Sequence, residues 1–167
     1  MFPGDFYEGA RRSVGEVDAF VRKHALAGQV RADHICYKCD STQSFEEKRK
    51  MLELESEYIH QSIISKRRIA YLKFKKPVAS SIGDIFFLEL SDQKPDGSQT
   101  EGFDHVEMYP TAGTYEELVA KLEQAGETVL QVVRPHHTTH DIKLPSGFLV
   151  RLCQEPLIEK IKREEMN

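Results

Sequence analysis

No sign of charge dominates this 167-residue chain: 23 Lys and Arg stand against 27 Asp and Glu, a formal net charge of −4. A basic surface able to track phosphates is not expected, so neither nucleic acid nor an anionic membrane is an expected partner. Long apolar runs are also missing. The longest spans only a few residues, far short of a membrane-crossing helix. The first residues, Met1-Phe2-Pro3-Gly4-Asp5, lack the basic lead and apolar core of a signal peptide, so a cytoplasmic protein is expected. Cysteine is scarce and odd in number, three in all, which argues against a disulfide framework and for reduced thiols.

What is present is a strand pattern used twice. Phe103-Asp104-His105-Val106-Glu107-Met108-Tyr109 reads as a strand in which Phe103, His105, Glu107 and Tyr109 share one face. A near copy lies upstream in Asp33-His34-Ile35-Cys36-Tyr37-Lys38. The surrounding elements repeat in the same order. A strand over 32–39 is followed by a helix from Ser44 to about Glu57, then by strands at Tyr58–Ser65, Arg68–Phe74 and Asp84–Leu90. After a turn-rich linker, a strand at Phe103–Tyr109 is followed by a helix over Thr114–Gln124 and strands at Thr128–Val133, Thr138–Leu144 and Phe148–Cys153. Spacing of three and four from Phe6 to Ala25 predicts one or two N-terminal helices, weakened by Gly9 and Gly15 and closing near Gly28. A charged helix is expected after Pro156.

The fold expected is therefore α+β: two βαβββ modules, residues 30–92 and 101–155, with helices added over 1–29 and 156–167. Overlaying the modules sets Phe87-Leu88-Glu89-Leu90 on Leu149-Val150-Arg151-Leu152, so Glu89 has Arg151 as its counterpart.

A duplicated βαβββ module with a histidine on each first strand and a carboxylate on a last strand resembles the vicinal oxygen chelate superfamily, which includes glyoxalase I and the extradiol dioxygenases. Ala32-Asp33-His34-Ile35 paired with Gly102-Phe103-Asp104-His105-Val106-Glu107 is similar to its YecM-like branch, over about residues 30 to 155. The resemblance implies a mixed-sheet cup holding a divalent metal through His34, Glu89 and His105. It also implies a small oxygenated substrate chelated through adjacent oxygens, and the capacity of two chains to pair as a homodimer. The fourth ligand position falls on Arg151, which cannot ligate.

Two imidazoles and one carboxylate suit Fe, Mn, Co, Ni or Zn and leave coordination positions open, so a lyase, isomerase or dioxygenase is expected. Arg151 is suited to a substrate carboxylate. Glu107 is a candidate general base or substitute ligand, with pairing to Arg151 or Lys38 as the competing reading. His140 shares a face with Ile142 and Leu144 and is a candidate for proton transfer; it also fits the YecM-like resemblance. His136 and His137 are expected in a solvent-facing loop. Cys36 shares the His34 face and either packs there or offers a soft ligand, whereas Cys36 and Cys39 face opposite ways and cannot form half of a zinc site. The competing functions are a non-catalytic small-molecule or metal-binding module and a structural protein whose cup is filled by side chains; a Glu89–Arg151 salt bridge would suit the last.

Overall fold

The computed structural model describes residues 1–134 and 137–165. Helix α1 runs unbroken over Pro3–Lys23, burying Phe6, Ala10, Val14, Val17, Phe20 and Val21. Gly9 does not break it, because the missing side chain serves packing: a Cβ there would stand 2.9 Å from the Phe103 ring. The helix ends before Gly28, as Ala25 takes the left-handed turn at φ 51°.

Strand β1 (Val30–Lys38) is followed by α2 (Thr42–Leu52), β2 (Ser56–Ile64), β3 (Arg67–Val78) and β4 (Ile85–Ser91). The second series is β5 (Gly102–Pro110), α3 (Tyr115–Gln124), β6 (Leu130–Val133), β7 (Thr138–Lys143) and β8 (Leu149–Leu152), with α4 (Leu157–Glu165) after it. Helix α2 starts two residues earlier than its acidic turn suggested, because Ser41 caps it by accepting from Ser44 N at 3.1 Å. It also stops earlier, freeing Ser56 to begin β2. Strand β3 continues through Pro77, in the stretch where its register with β4 shifts between Lys73 and Val78.

All eight strands form one sheet in the order β2-β3-β4-β1-β5-β8-β7-β6. The pairs β1–β4 and β5–β8 are parallel, and β1–β5 joins the halves antiparallel. The order is therefore the same read outward from either central strand, which makes the architecture α+β with a mixed sheet. Ile35, Leu88, Val106 and Val150 are fully buried on the helix side, where Phe45, Leu118 and Leu122 join the same apolar core. His34, Cys36, Glu89, His105 and Arg151 alternate with them and occupy the opposite, cup-forming face.

Strict alternation fails at two places. In the β1–β5 register Asp33 has no partner between Ala32 and His34, and Asp104 has none between Phe103 and His105. Each is the extra residue of a bulge. The bulge before His105 turns Phe103 off the face it was expected to share, to pack on Phe6 and Tyr37 at ring separations of 4.9 and 4.8 Å. Ala32, at the matching place in β1, likewise joins the apolar core.

Candidate metal centre

The bulges place each aspartate beside its own histidine. Asp33 Oδ2 lies 2.6 Å from His34 Nδ1, and Asp104 Oδ2 lies 2.7 Å from His105 Nδ1. An ionised carboxylate only accepts, so Nδ1 carries the hydrogen in each ring and, in the neutral form, Nε2 presents a lone pair to the cup. Asp33 is held by Leu157 N at 3.2 Å and Asp104 by Lys38 Nζ at 2.9 Å. These aspartates were not singled out from the sequence, because simple alternation points them away from the histidines.

Across the central pair His34 faces Glu107 and Cys36 faces His105, a two-fold exchange of equivalent positions. Glu107 Oε2 stands 3.5 Å from His34 Nε2 and 4.0 Å from His105 Nε2. Glu89 Oε2 also lies 3.5 Å from His34 Nε2 while accepting from Tyr71 OH at 3.1 Å, and its Oε1 accepts from the Cys36 thiol at 3.6 Å. Among the described residues, two donor sets have ligand atoms all within 4.8 Å of one another: His34, His105 and Glu107, and Cys36, Glu89 and His105. Both histidines are buried, and His34 Nε2 is a buried nitrogen with no hydrogen-bond partner.

Arg151 enters from β8 at the position matching Glu89. It makes a bidentate pair with Asp141, Nε to Oδ1 at 2.8 Å and Nη2 to Oδ2 at 3.0 Å, and not with Glu89. Its third nitrogen, Nη1, donates to His105 Nε2 at 3.2 Å. The exchange of Glu89 for Arg151 splits the behaviour of two otherwise equivalent imidazoles. Burial alone would lower the His34 pKa, but Glu107, Asp33 and Glu89 together raise it well above the ordinary value. Burial lowers the His105 pKa, and Arg151 lowers it further. Glu89 is driven far below the usual carboxylate range because His34, His105 and Arg151 outweigh its burial. Burial, then Glu89, raises the Cys36 thiol, so it is neutral.

His140 does not join this group. It pairs with Leu152 across β7–β8, on the helix side, and its Nδ1 lies 2.7 Å from Tyr115 OH, which donates to Leu152 O at 2.9 Å. Its inward orientation is correct, but it points into the core and not into the cup. His137 is exposed, as expected, and His136 lies outside the described residues.

The sequence matches the family described as YecM protein over residues 13–155. The chain belongs to the YecM family. Among solved structures, this YecM chain is similar to a structural-genomics protein, "Protein EC4020", at TM-score 0.69 and 19% identity, covering 92% of this chain and 87% of that one. It is also similar to a variant of Streptomyces coelicolor methylmalonyl-CoA epimerase in complex with 2-nitronate-propionyl-CoA, at TM-score 0.50 and 21% identity, covering 78% of this chain and 97% of that one. No curated protein matches the YecM chain by sequence. Both likenesses, at 19% and 21% identity, bear on the fold alone. No helix among the described residues is long and apolar enough to cross a membrane.

Proposed function

We propose that this YecM protein is a divalent-metal-dependent enzyme that moves a proton on a small, acid-bearing, oxygenated substrate, as an isomerase or lyase. The observation that carries this reading is the pair of aspartate-anchored imidazoles aimed into one cup, with a buried His34 Nε2 that makes no hydrogen bond among the described residues and has the Glu89 and Glu107 carboxylates 3.5 Å away. Charge supports it. Five carboxylates, Asp33, Glu89, Asp104, Glu107 and Asp141, surround the fixed cations Lys38, Arg134 and Arg151, and they hold on His34 a proton that a divalent ion would replace. Nitrogen and oxygen donors suit Fe, Mn, Co, Ni or Zn.

In this proposal His34, His105 and Glu107 hold the ion, and Glu89, whose low pKa rests chiefly on the His34 proton that the ion would displace, is the base, the reverse of the carboxylate roles expected from module overlay. Glu107 is buried and reaches both imidazoles, whereas Glu89 is more exposed and already engaged by Tyr71 and Cys36. The ion, when bound, supplies Lewis acidity toward a substrate carbonyl or carboxylate oxygen. Asp33 and Asp104 fix the imidazole tautomers. Tyr71 orients the Glu89 carboxylate for the proton, and Arg151 Nη1 takes a substrate oxyanion. Dioxygen chemistry would not require a base at Glu89, so proton transfer is preferred.

One contact favours a non-catalytic small-molecule module without a metal. The His105 Nε2 lone pair that accepts from Arg151 cannot serve an ion at the same time. Reconstitution separates the two. Protein exposed to Mn, Co, Ni or Zn and desalted should retain one equivalent, and Glu89→Gln should retain metal while losing deuterium exchange into carbonyl-bearing acids in heavy water. Metal retention without exchange in wild type would favour a binding module, and absence of stoichiometric metal would defeat the metal reading.

A further inference from the structure

Arg134, which the proposed mechanism does not use, is a guanidinium with no hydrogen bond to a carboxylate among the described residues. It follows β6, and its backbone N–H donates to His137 O at 3.0 Å, closing the end of the β6–β7 hairpin. Its Nη1 donates to the hydroxyl of Thr139, which is fully buried. Thr139 lies two residues before Asp141 on β7, and Asp141 pairs with Arg151 across β7–β8, so Thr139 faces the cup. The charges that act most on Arg134 are those of the cup itself: Arg151, Asp141, Glu107 and Glu89.

Its situation differs from that of the neighbouring guanidinium. Arg151 is neutralised by a bidentate aspartate, whereas the side chain of Arg134 is hydrogen-bonded only to a neutral hydroxyl among the described residues. A half-buried cation beside another cation is unfavourable unless an anion joins them. Burial and Arg151 accordingly lower the pKa of Arg134. Its fork retains N–H groups free for a planar or tetrahedral oxyanion.

We infer that Arg134 and Arg151 together form a subsite for a second acidic group, so that the ligand of the cup is a small dianion, a dicarboxylate or a phosphorylated acid. This rests on the proposed reading only in assigning the dianion as substrate. The guanidinium–anion hydrogen bonds themselves do not require the metal, although the surrounding carboxylates make dianion binding tighter in the metal-loaded protein.

The test is calorimetric titration of the full chain, metal-loaded and metal-free, with malonate, inorganic phosphate and acetate. Wild type should bind at least one of the two dianions more tightly than acetate. Arg134→Gln should weaken that dianion about 10- to 100-fold, as loss of a charge-assisted hydrogen bond implies, with acetate affinity, metal stoichiometry and thermal midpoint unchanged. Thr139→Val should shift dianion affinity in the same direction, and Arg134→Lys should restore part of the loss. Preference for phosphate over malonate would mark a phosphorylated acid, and the reverse a dicarboxylate. Dianion binding indifferent to Arg134→Gln, an equal loss for acetate, or no dianion preference in either form would overturn the inference. Dianion binding through Arg134 in a protein that takes up no metal would uphold the subsite and defeat the metal reading separately.

Discussion

Glu107 sits opposite His34 across the β1–β5 pair, with its Oε2 atom 3.5 Å from the imidazole nitrogen that has no hydrogen-bond partner. Because the same carboxylate also reaches His105, it is the group whose loss should matter most to an ion shared by both rings. Glu107→Gln should weaken metal binding by more than the roughly 10- to 100-fold that follows loss of a ligand's hydrogen-bond partner. Glu89→Gln should weaken it by less than about tenfold. Competition with a chromophoric chelator measures both, and the opposite ranking would return Glu89 to the ligand set.

Asp104 fixes His105 without touching the cup. Asp104→Asn keeps the size but replaces the charged acceptor on Nδ1, and metal affinity should fall about 10- to 100-fold. Nitrogen-15 shifts of the imidazole should move in the same variant, reporting the altered tautomer balance. Unchanged shifts and affinity would mean that the bulge, and not the carboxylate, sets the ring.

Arg151 should influence cation and anion in opposite senses. Its guanidinium stands 3.2 Å from His105 Nε2, so Arg151→Gln removes a repelling charge and should tighten metal binding by about tenfold or more. The same variant should lose affinity for acetate. Weaker metal binding in Arg151→Gln would show that the arginine holds the site together through Asp141.

The duplicated order of strand, helix and three strands was legible because apolar periodicity and turn residues repeat it, and the register agrees with the overlay of Glu89 on Arg151: they pair with Cys36 and Glu107, each two residues after its module's histidine. The bulges were not legible. A single unpaired residue leaves no mark in composition, yet it decides that Phe103 packs on α1 and that Asp33 and Asp104 turn to their histidines. The Asp-His dipeptide in both copies was the available signal. His140 lies on the inward face expected for it, but alternation identifies a face and not what covers it: the core covers that face of β7, and the Arg151–Asp141 pair lies on the other.

Glu101 provides a pH test away from the centre. It accepts from Tyr37 OH at 3.1 Å, Asp40 N at 2.7 Å and Ser44 Oγ at 2.6 Å and pairs with Lys48, tying the approach to β5 to the start of α2. Although burial opposes it, these partners lower its pKa below the ordinary 4.5. The stabilisation is therefore complete above that value and lost as pH falls through the lower folded-state value. Glu101→Gln should cost about 1–2 kcal/mol at neutral pH and flatten the loss of stability between about pH 5 and pH 3, read from urea midpoints. An unchanged acid limb would assign it to other carboxylates.

The most direct measurement is anomalous diffraction from crystals of protein reconstituted with Mn, Co, Ni or Zn, collected on both sides of the metal's absorption edge. One peak is expected within about 2.3 Å of the Nε2 atoms of both His34 and His105, with Glu107 as the nearest carboxylate, and its loss in His105→Ala. A cup without a peak at full reconstitution, or a peak bound elsewhere with His34 Nε2 still unpartnered, would contradict that expectation.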